Sequence, residues 1–225
     1  MKRKIALVTG AGRGIGRAIA EALAPHADLC LCSKTPEGLA ETAWALADRT
    51  RVFARRADIS RRVEVEGLFE ACRRELGPID WLINNAGVAE IASLQEMTDE
   101  QWDLTMDVNL RGTFLCAQTA LRDLKSREGR IVNIGSISGT LGTPNMSAYN
   151  ASKWGVNGLT KAWAEELKED RVMVTAVLPG SVDTAMLRKS GFPPQMQPSD
   201  IAGIVKYLCV DAPFAMTGSL VEAFA

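Results

Sequence analysis

Three side chains near the middle of the chain have the types and spacing for acid–base work on an oxygen atom. Tyr149 and Lys153 stand four positions apart in "YNASK", and Ser136 of "NIGSISG" precedes the tyrosine by thirteen. On a helix, positions i and i+4 lie one turn apart on the same face. An ammonium there would favour the phenolate, making a proton donor of a group whose free pKa is about 10. The plainer reading of the same five residues is a helix N-terminus with an ordinary surface lysine. The elements around the pair decide between the two.

"VTGAGRGIGRAIAEAL" sets a strand, a glycine turn and an amphipathic helix in immediate succession. Glycines let the backbone approach a pyrophosphate, and the helix N-terminus adds N–H groups and the positive end of its dipole. The spacing is not the common G-x-G-x-x-G, because Ile15 stands where its last glycine would be. It is G-x-x-x-G-x-G through Gly10, Gly14 and Gly16, with Gly12 and Arg13 between. Such a turn can need glycine merely for a positive φ. As the first βα unit of an alternating chain, it points to dinucleotide binding.

The end of the second strand, "CLCSKT", offers Ser33 and Lys34 and no acid. An acidic residue there would accept from a ribose 2′-hydroxyl, whereas cations accommodate a 2′-phosphate. Each cation taken alone reads as a solvated surface charge. Lys34 and Arg13 together at one sheet edge favour NADP(H) over NAD(H).

Short apolar runs alternate with longer helical patterns. "KIALVTG", "DLCLCS", "RVFARRA", "DWLINNAG", "GRIVNIGS" and "RVMVTAVLPG" read as six strands and "GSLVEAF" as a seventh. Several are almost continuously apolar, as strands of a parallel sheet covered on both faces are. Helical patterns fill 14–24, 36–48, 60–76, 98–124, 147–169 and 198–210, and Thr98 with Gln101 forms a capping box for the fourth. The spacing predicts a single α/β domain over residues 1–225, a doubly wound parallel sheet of Rossmann type with right-handed crossovers and helices on both faces.

Of 225 residues, 47% are hydrophobic, and the net charge of −1 gives no electrostatic footprint for nucleic acid or an anionic membrane. No apolar run is long enough to span a bilayer. The apolar stretch after the basic tip "MKRK" is cut by Gly10 before a signal segment forms. The five cysteines contain no C-x-x-C and read as buried reduced thiols of a cytoplasmic protein, with Cys30 and Cys32 on one face of a strand. The single histidine, His26, leaves nothing for a metal cluster or a Ser-His-Asp triad and reads as a loop residue.

With "TGAGRGIG" (9–16), "DI" (58–59), "NNAG" (84–87), Asn109 of "MDVNLRGTF", Ser136, "YNASK" and "PG" (179–180) in order, the chain resembles the short-chain dehydrogenase/reductase family. The resemblance implies a small-molecule carbonyl or alcohol substrate and a hydride transfer. It makes Tyr149 the general acid, with Lys153 lowering its pKa and holding the nicotinamide ribose. Ser136 would hydrogen-bond the carbonyl oxygen, and Asn109 would anchor a water leading from Lys153 to solvent. Asp58 and Ile59 would contact adenine, and Asn85, Ala86 and Gly87 would wall the adenosine ribose. Pro179, Gly180 and Val182 would flank the nicotinamide. Asn133, near a strand end, reads as structural.

The family's substrate loop corresponds to a short lid at about 183–198, where Met186, Leu187, Phe192 and Met196 either form an adaptable apolar cover or simply close the core. The N-terminal two-thirds is most similar to bacterial 3-oxoacyl-carrier-protein reductases, which implies a thioester substrate. The shorter lid leaves room for another carbonyl or alcohol: a sugar, steroid, quinone or small ketone. A non-catalytic dinucleotide sensor is the remaining class, disfavoured by the retained tyrosine and lysine. A zinc-dependent alcohol dehydrogenase is excluded by the missing ligand cluster. The resemblance also implies a homodimer or homotetramer through helices 98–124 and 147–169, the tetramer being in doubt because no "DGG" tail follows "MTGSLVEAFA".

Overall fold

A computed structural model describes residues 3–224; the expectations placed on the first two residues and on the terminal alanine lie outside the described residues. Seven strands, β1 (Lys4–Thr9), β2 (Ala27–Ser33), β3 (Val52–Arg56), β4 (Trp81–Asn84), β5 (Arg130–Ile134), β6 (Met173–Pro179) and β7 (Leu220–Ala223), form one parallel sheet in the order β3-β2-β1-β4-β5-β6-β7. The helices are α1 (Gly14–Leu23), α2 (Glu37–Leu46), α3 (Arg62–Glu75), α4 (Asp99–Met106), α5 (Gly112–Arg127), α6 (Ser147–Glu166), α7 (Ala185–Ser190) and α8 (Pro198–Val210). The doubly wound sheet and all seven expected strands are present.

Alternation along β1 explains the two layers. Ala6 and Val8 enter a core with Ile19, Leu23, Val205 and Leu208 of α1 and α8. Ile5 and Leu7 enter the opposite one with Phe69, Leu115 and Leu124 of α3 and α5. Cys30 and Cys32 do share a face there, and burial pushes the Cys32 thiol up to about 12, which makes it chemically quiet. The strand order reverses between β1 and β4, so the carboxyl ends of these strands diverge and leave the crevice in which such sheets bind ligands.

The helix expected over 98–124 is divided. The Thr98–Gln101 capping box starts it as expected, but a π-helical turn at Asp107–Arg111 separates α4 from α5. The lid segment, with no helix expected, contains α7, started by the Thr184 hydroxyl accepting from Leu187 N at 3.2 Å. His26 is exposed in the loop before β2.

Candidate active site

A cavity of about 1010 Å³ runs over the carboxyl edge of the sheet, from the glycine turn to the N-terminal turns of α6. Gly10 (φ 66°) and Gly14 (φ 54°) adopt left-handed backbone that favours glycine. A Cβ on Gly16 would run into the Gly10 carbonyl oxygen, so the turn closes on itself without side chains. Arg13, the N-cap of α1, makes no side-chain cap, and the first turn of α1 has no acid. The first N–H groups of α1 therefore remain available to an anion in the cavity.

Gly10, Arg13, Gly14, Ile15, Gly16, Ser33, Lys34, Asp58, Ile59, Asn85, Ala86 and Gly87 all line this cavity, as do Pro179, Gly180 and Val182 at its other end. Gly12 does not. It packs on α2, where a Cβ would lie 3.0 Å from Leu39 N. Asn85 is turned onto the glycine loop, donating from Nδ2 to Thr9 O at 2.9 Å and Gly10 O at 3.2 Å. The Thr9 hydroxyl in turn accepts from Asn85 N and Ala86 N, fastening β4 to β1 across the crevice. Thr9 opens the "TGAGRGIG" motif, but its tie to the segment after β4 is not written in that spacing.

Ser136, Tyr149 and Lys153 line the same cavity. The Ser136 oxygen accepts from Ser138 N at 3.1 Å, which leaves its O–H to donate outward. Burial pushes the Tyr149 phenol up, with the Ser136 hydroxyl working against it. Lys153 is nearly buried; desolvation pushes its ammonium down to about 8. Its Nζ donates to Ile134 O at 2.8 Å and stands 5.6 Å from the Tyr149 ring centre. Desolvation outweighs the Ser136 hydroxyl in setting the direction for the Tyr149 phenol, opposite to the direction a neighbouring ammonium alone would give.

Asn109 does not reach the cavity. It is buried in the π-helical turn, accepting from Val88 N at 2.8 Å and donating to Val88 O at 2.9 Å and to Ser152 Oγ at 3.0 Å. The Ser152 hydroxyl continues to Tyr149 O at 2.7 Å. The carboxamide thus commits both N–H groups and one oxygen lone pair to a clamp between the segment after β4 and α6. A Cβ on Gly87 would stand 3.3 Å from its Oδ1, a tight approach, and 3.8 Å from Lys153 Nζ, an ordinary contact.

The family model described as short chain dehydrogenase matches residues 4–192. The chain belongs to the short-chain dehydrogenase family. A 3-oxoacyl-[acyl-carrier-protein] reductase of Synechocystis sp. is 35% identical to it, covering 92% of this chain and 90% of its own length. The Haemophilus influenzae reductase of the same name is 36% identical and covers 97% and 96%. Among solved structures, a variant actinorhodin polyketide ketoreductase with NADPH superposes with a TM-score of 0.93 at 32% identity, over 98% of this chain and 95% of the other. Levodione reductase superposes with a TM-score of 0.91 at 29% identity, over 97% and 95%.

This short-chain dehydrogenase is an oxidoreductase, and its family implies a nicotinamide dinucleotide. The free α1 N-terminus, the side-chain-free turn and the length of the cavity fit that group. Over its far end, Met186, Leu187 and Phe192 line the cavity, but Met196 does not. Met196 is buried in the core and bridges Val182, with Asp183 N donating to Met196 O at 2.9 Å. The dehydrogenase's apolar cover is thus shorter than the whole 183–198 segment. Thr184 packs on Gly14, 3.3 Å from the place of a Cβ there, and ties this loop to the cofactor turn. Asn133 is structural, as expected: it donates to Thr160 Oγ1 and accepts from Asn84 Nδ2, both at 2.9 Å. Among the described residues, no helix is long and apolar enough to cross a membrane.

Proposed function

We propose that this chain is an NADPH-dependent reductase of 3-oxoacyl thioesters. The observation that carries the reading is that Ser136, Tyr149 and Lys153 meet in the cavity whose other end is the glycine turn. A bound nicotinamide supplies the hydride that adds to the carbonyl carbon. The Ser136 hydroxyl, oriented by Ser138 N, donates to the substrate oxygen and stabilises the charge that develops there. The Tyr149 phenol, kept protonated by burial, gives that oxygen its proton. Lys153 uses one N–H on Ile134 O and keeps the others for the hydroxyls of the nicotinamide ribose. Asn109 acts through Val88 and Ser152 as a positioning residue.

The relatives from Synechocystis and Haemophilus support the thioester substrate, since both are 3-oxoacyl-[acyl-carrier-protein] reductases. Arg13 and Lys34 beside the cavity support NADPH over NADH. A second reading, reduction of another carbonyl compound, draws on the apolar, repackable cover of Met186, Leu187 and Phe192. Exposed Trp102, Leu104, Phe114 and Trp154 on α4, α5 and α6 support a homodimer through these helices.

The test is cofactor consumption at 340 nm with acetoacetyl-CoA, small ketones, quinones and sugars, run with NADPH and NADH. Turnover of the thioester with NADPH supports the proposal. Turnover of the other carbonyls alone transfers support to the second reading, and turnover with NADH alone overturns the cofactor assignment.

A further inference from the structure

Lys34, on which the NADPH reading relies, is already paired. Its ammonium lies 2.8 Å from Asp58 Oδ2, and the two side chains are 60% and 11% exposed respectively. Both residues line the cavity with Arg13 and Ser33. The carboxylate is the fixed member of the pair. Asp58 Oδ1 accepts from Ser60 N at 3.1 Å and from the Ser60 hydroxyl at 2.7 Å, while Asp58 N donates to Glu64 Oε2 at 2.9 Å. Arg56 Nε holds the Lys34 carbonyl at 3.1 Å, so the lysine backbone is anchored and its exposed side chain reaches across to Asp58.

We infer that Asp58 determines cofactor specificity by opposing Lys34: its fixed carboxylate holds the preference for NADPH over NADH below what Arg13 and Lys34 would give unopposed. The inference rests on the NADPH reading above. A 2′-phosphate approaching Lys34 meets an ammonium whose charge is largely balanced, and Asp58 stays behind it as a like charge. NADH carries no such phosphate, so the opposition is specific to NADPH. Any contact of Asp58 with the adenine common to both cofactors cancels in the ratio of their affinities. Removing one like charge near a partly exposed phosphate is worth roughly three- to tenfold in affinity.

The experiment is calorimetric titration of NADPH and NADH into the full chain as wild type, Asp58→Asn, Lys34→Ala and the double variant. Asparagine keeps an acceptor for Ser60 while deleting the charge. Asp58→Asn is expected to raise the NADPH-to-NADH affinity ratio about three- to tenfold, and Lys34→Ala to lower it more steeply in the Asp58→Asn background than in wild type. If Lys34→Ala lowers the ratio but Asp58→Asn leaves it unchanged or reduces it, the opposition is wrong and the NADPH reading stands. If Lys34→Ala leaves the ratio unchanged in the Asp58→Asn background as well, the lysine does not read the phosphate and the inference falls, whereas a wild-type ratio that does not favour NADPH overturns the NADPH reading. Should Asp58→Asn fail to fold, Asp58→Ser deletes the same charge and is judged by the same ratio.

Discussion

Tyr149 and Lys153 share one face of α6, with the lysine nitrogen 5.6 Å from the centre of the tyrosine ring, and burial drives their ionisations in opposite directions. The phenol is pushed up and the ammonium down to about 8, so each group is biased toward its neutral form. A phenol that keeps its proton at neutral pH suits delivery of a proton to an oxygen, the direction a reductase needs.

Tyr149→Phe deletes only that hydroxyl. Turnover is expected to fall by about 10²- to 10⁴-fold, the range of a positioned general acid. NADPH affinity, measured by titration, is expected to stay within a factor of about three, because one hydroxyl is removed without loss of packing. A variant that keeps most of its activity would show that the proton comes from elsewhere.

Lys153 gives a pH dependence of stability with a defined sign. Its folded pKa of about 8 lies below its ordinary 10.5, so between these values the unfolded chain holds a proton that the folded chain has released. Stability contributed by this residue therefore rises with pH across that window, while below about 8 the folded state carries the whole burial cost. Relative to Lys153→Met, wild type is expected to gain about 3 kcal/mol between the two ends of the window. Denaturant unfolding of both proteins at several pH values measures this, and a constant or opposite trend contradicts the burial argument.

Asn109→Ala removes a clamp of three hydrogen bonds and leaves Val88 N–H and C=O without partners. A loss of about 1–3 kcal/mol in unfolding free energy is expected, from three lost hydrogen bonds that include those to the partly buried Val88. kcat should fall with it, since Ser152 links the same clamp to the first turn of α6. Unchanged stability would mean that the clamp carries no load.

Two glycines give opposite outcomes for one substitution. Gly16→Ala places a methyl group against Gly10 O and within 2.5 Å of Asn85 Nδ2, so both stability and NADPH binding should suffer. Gly203 is exposed within α8 and has nothing within 4 Å of a new Cβ. Gly203→Ala should stabilise the protein by up to about 1 kcal/mol through helix propensity. Thermal unfolding of the pair, with calorimetry of NADPH on Gly16→Ala, checks both.

Much of the site was legible because its cues are local. Gly10 and Gly14 need left-handed backbone where a strand turns into a helix. Tyr149 and Lys153 carry their shared face in their spacing, and the Thr98–Gln101 box marks the start of α4 within four residues. The π-helical turn at Asp107–Arg111 has no such mark. Neither proline nor glycine interrupts "DVNLR", and the turn coincides with Asn109 being held to Val88 and Ser152 from outside the helix. Extra residues of this kind recur at functional sites for that reason.

The sequence by itself determined the alternation of strands and helices and the doubly wound sheet, because apolar periodicity and turn chemistry act between near neighbours. Only the tertiary structure decided that Gly12 packs on α2, that Met196 belongs to the core, that Lys34 is joined to Asp58 and that burial raises the Tyr149 phenol. Each of these depends on desolvation or on an approach between elements distant in the chain, and neither quantity is written in the spacing of residues along it.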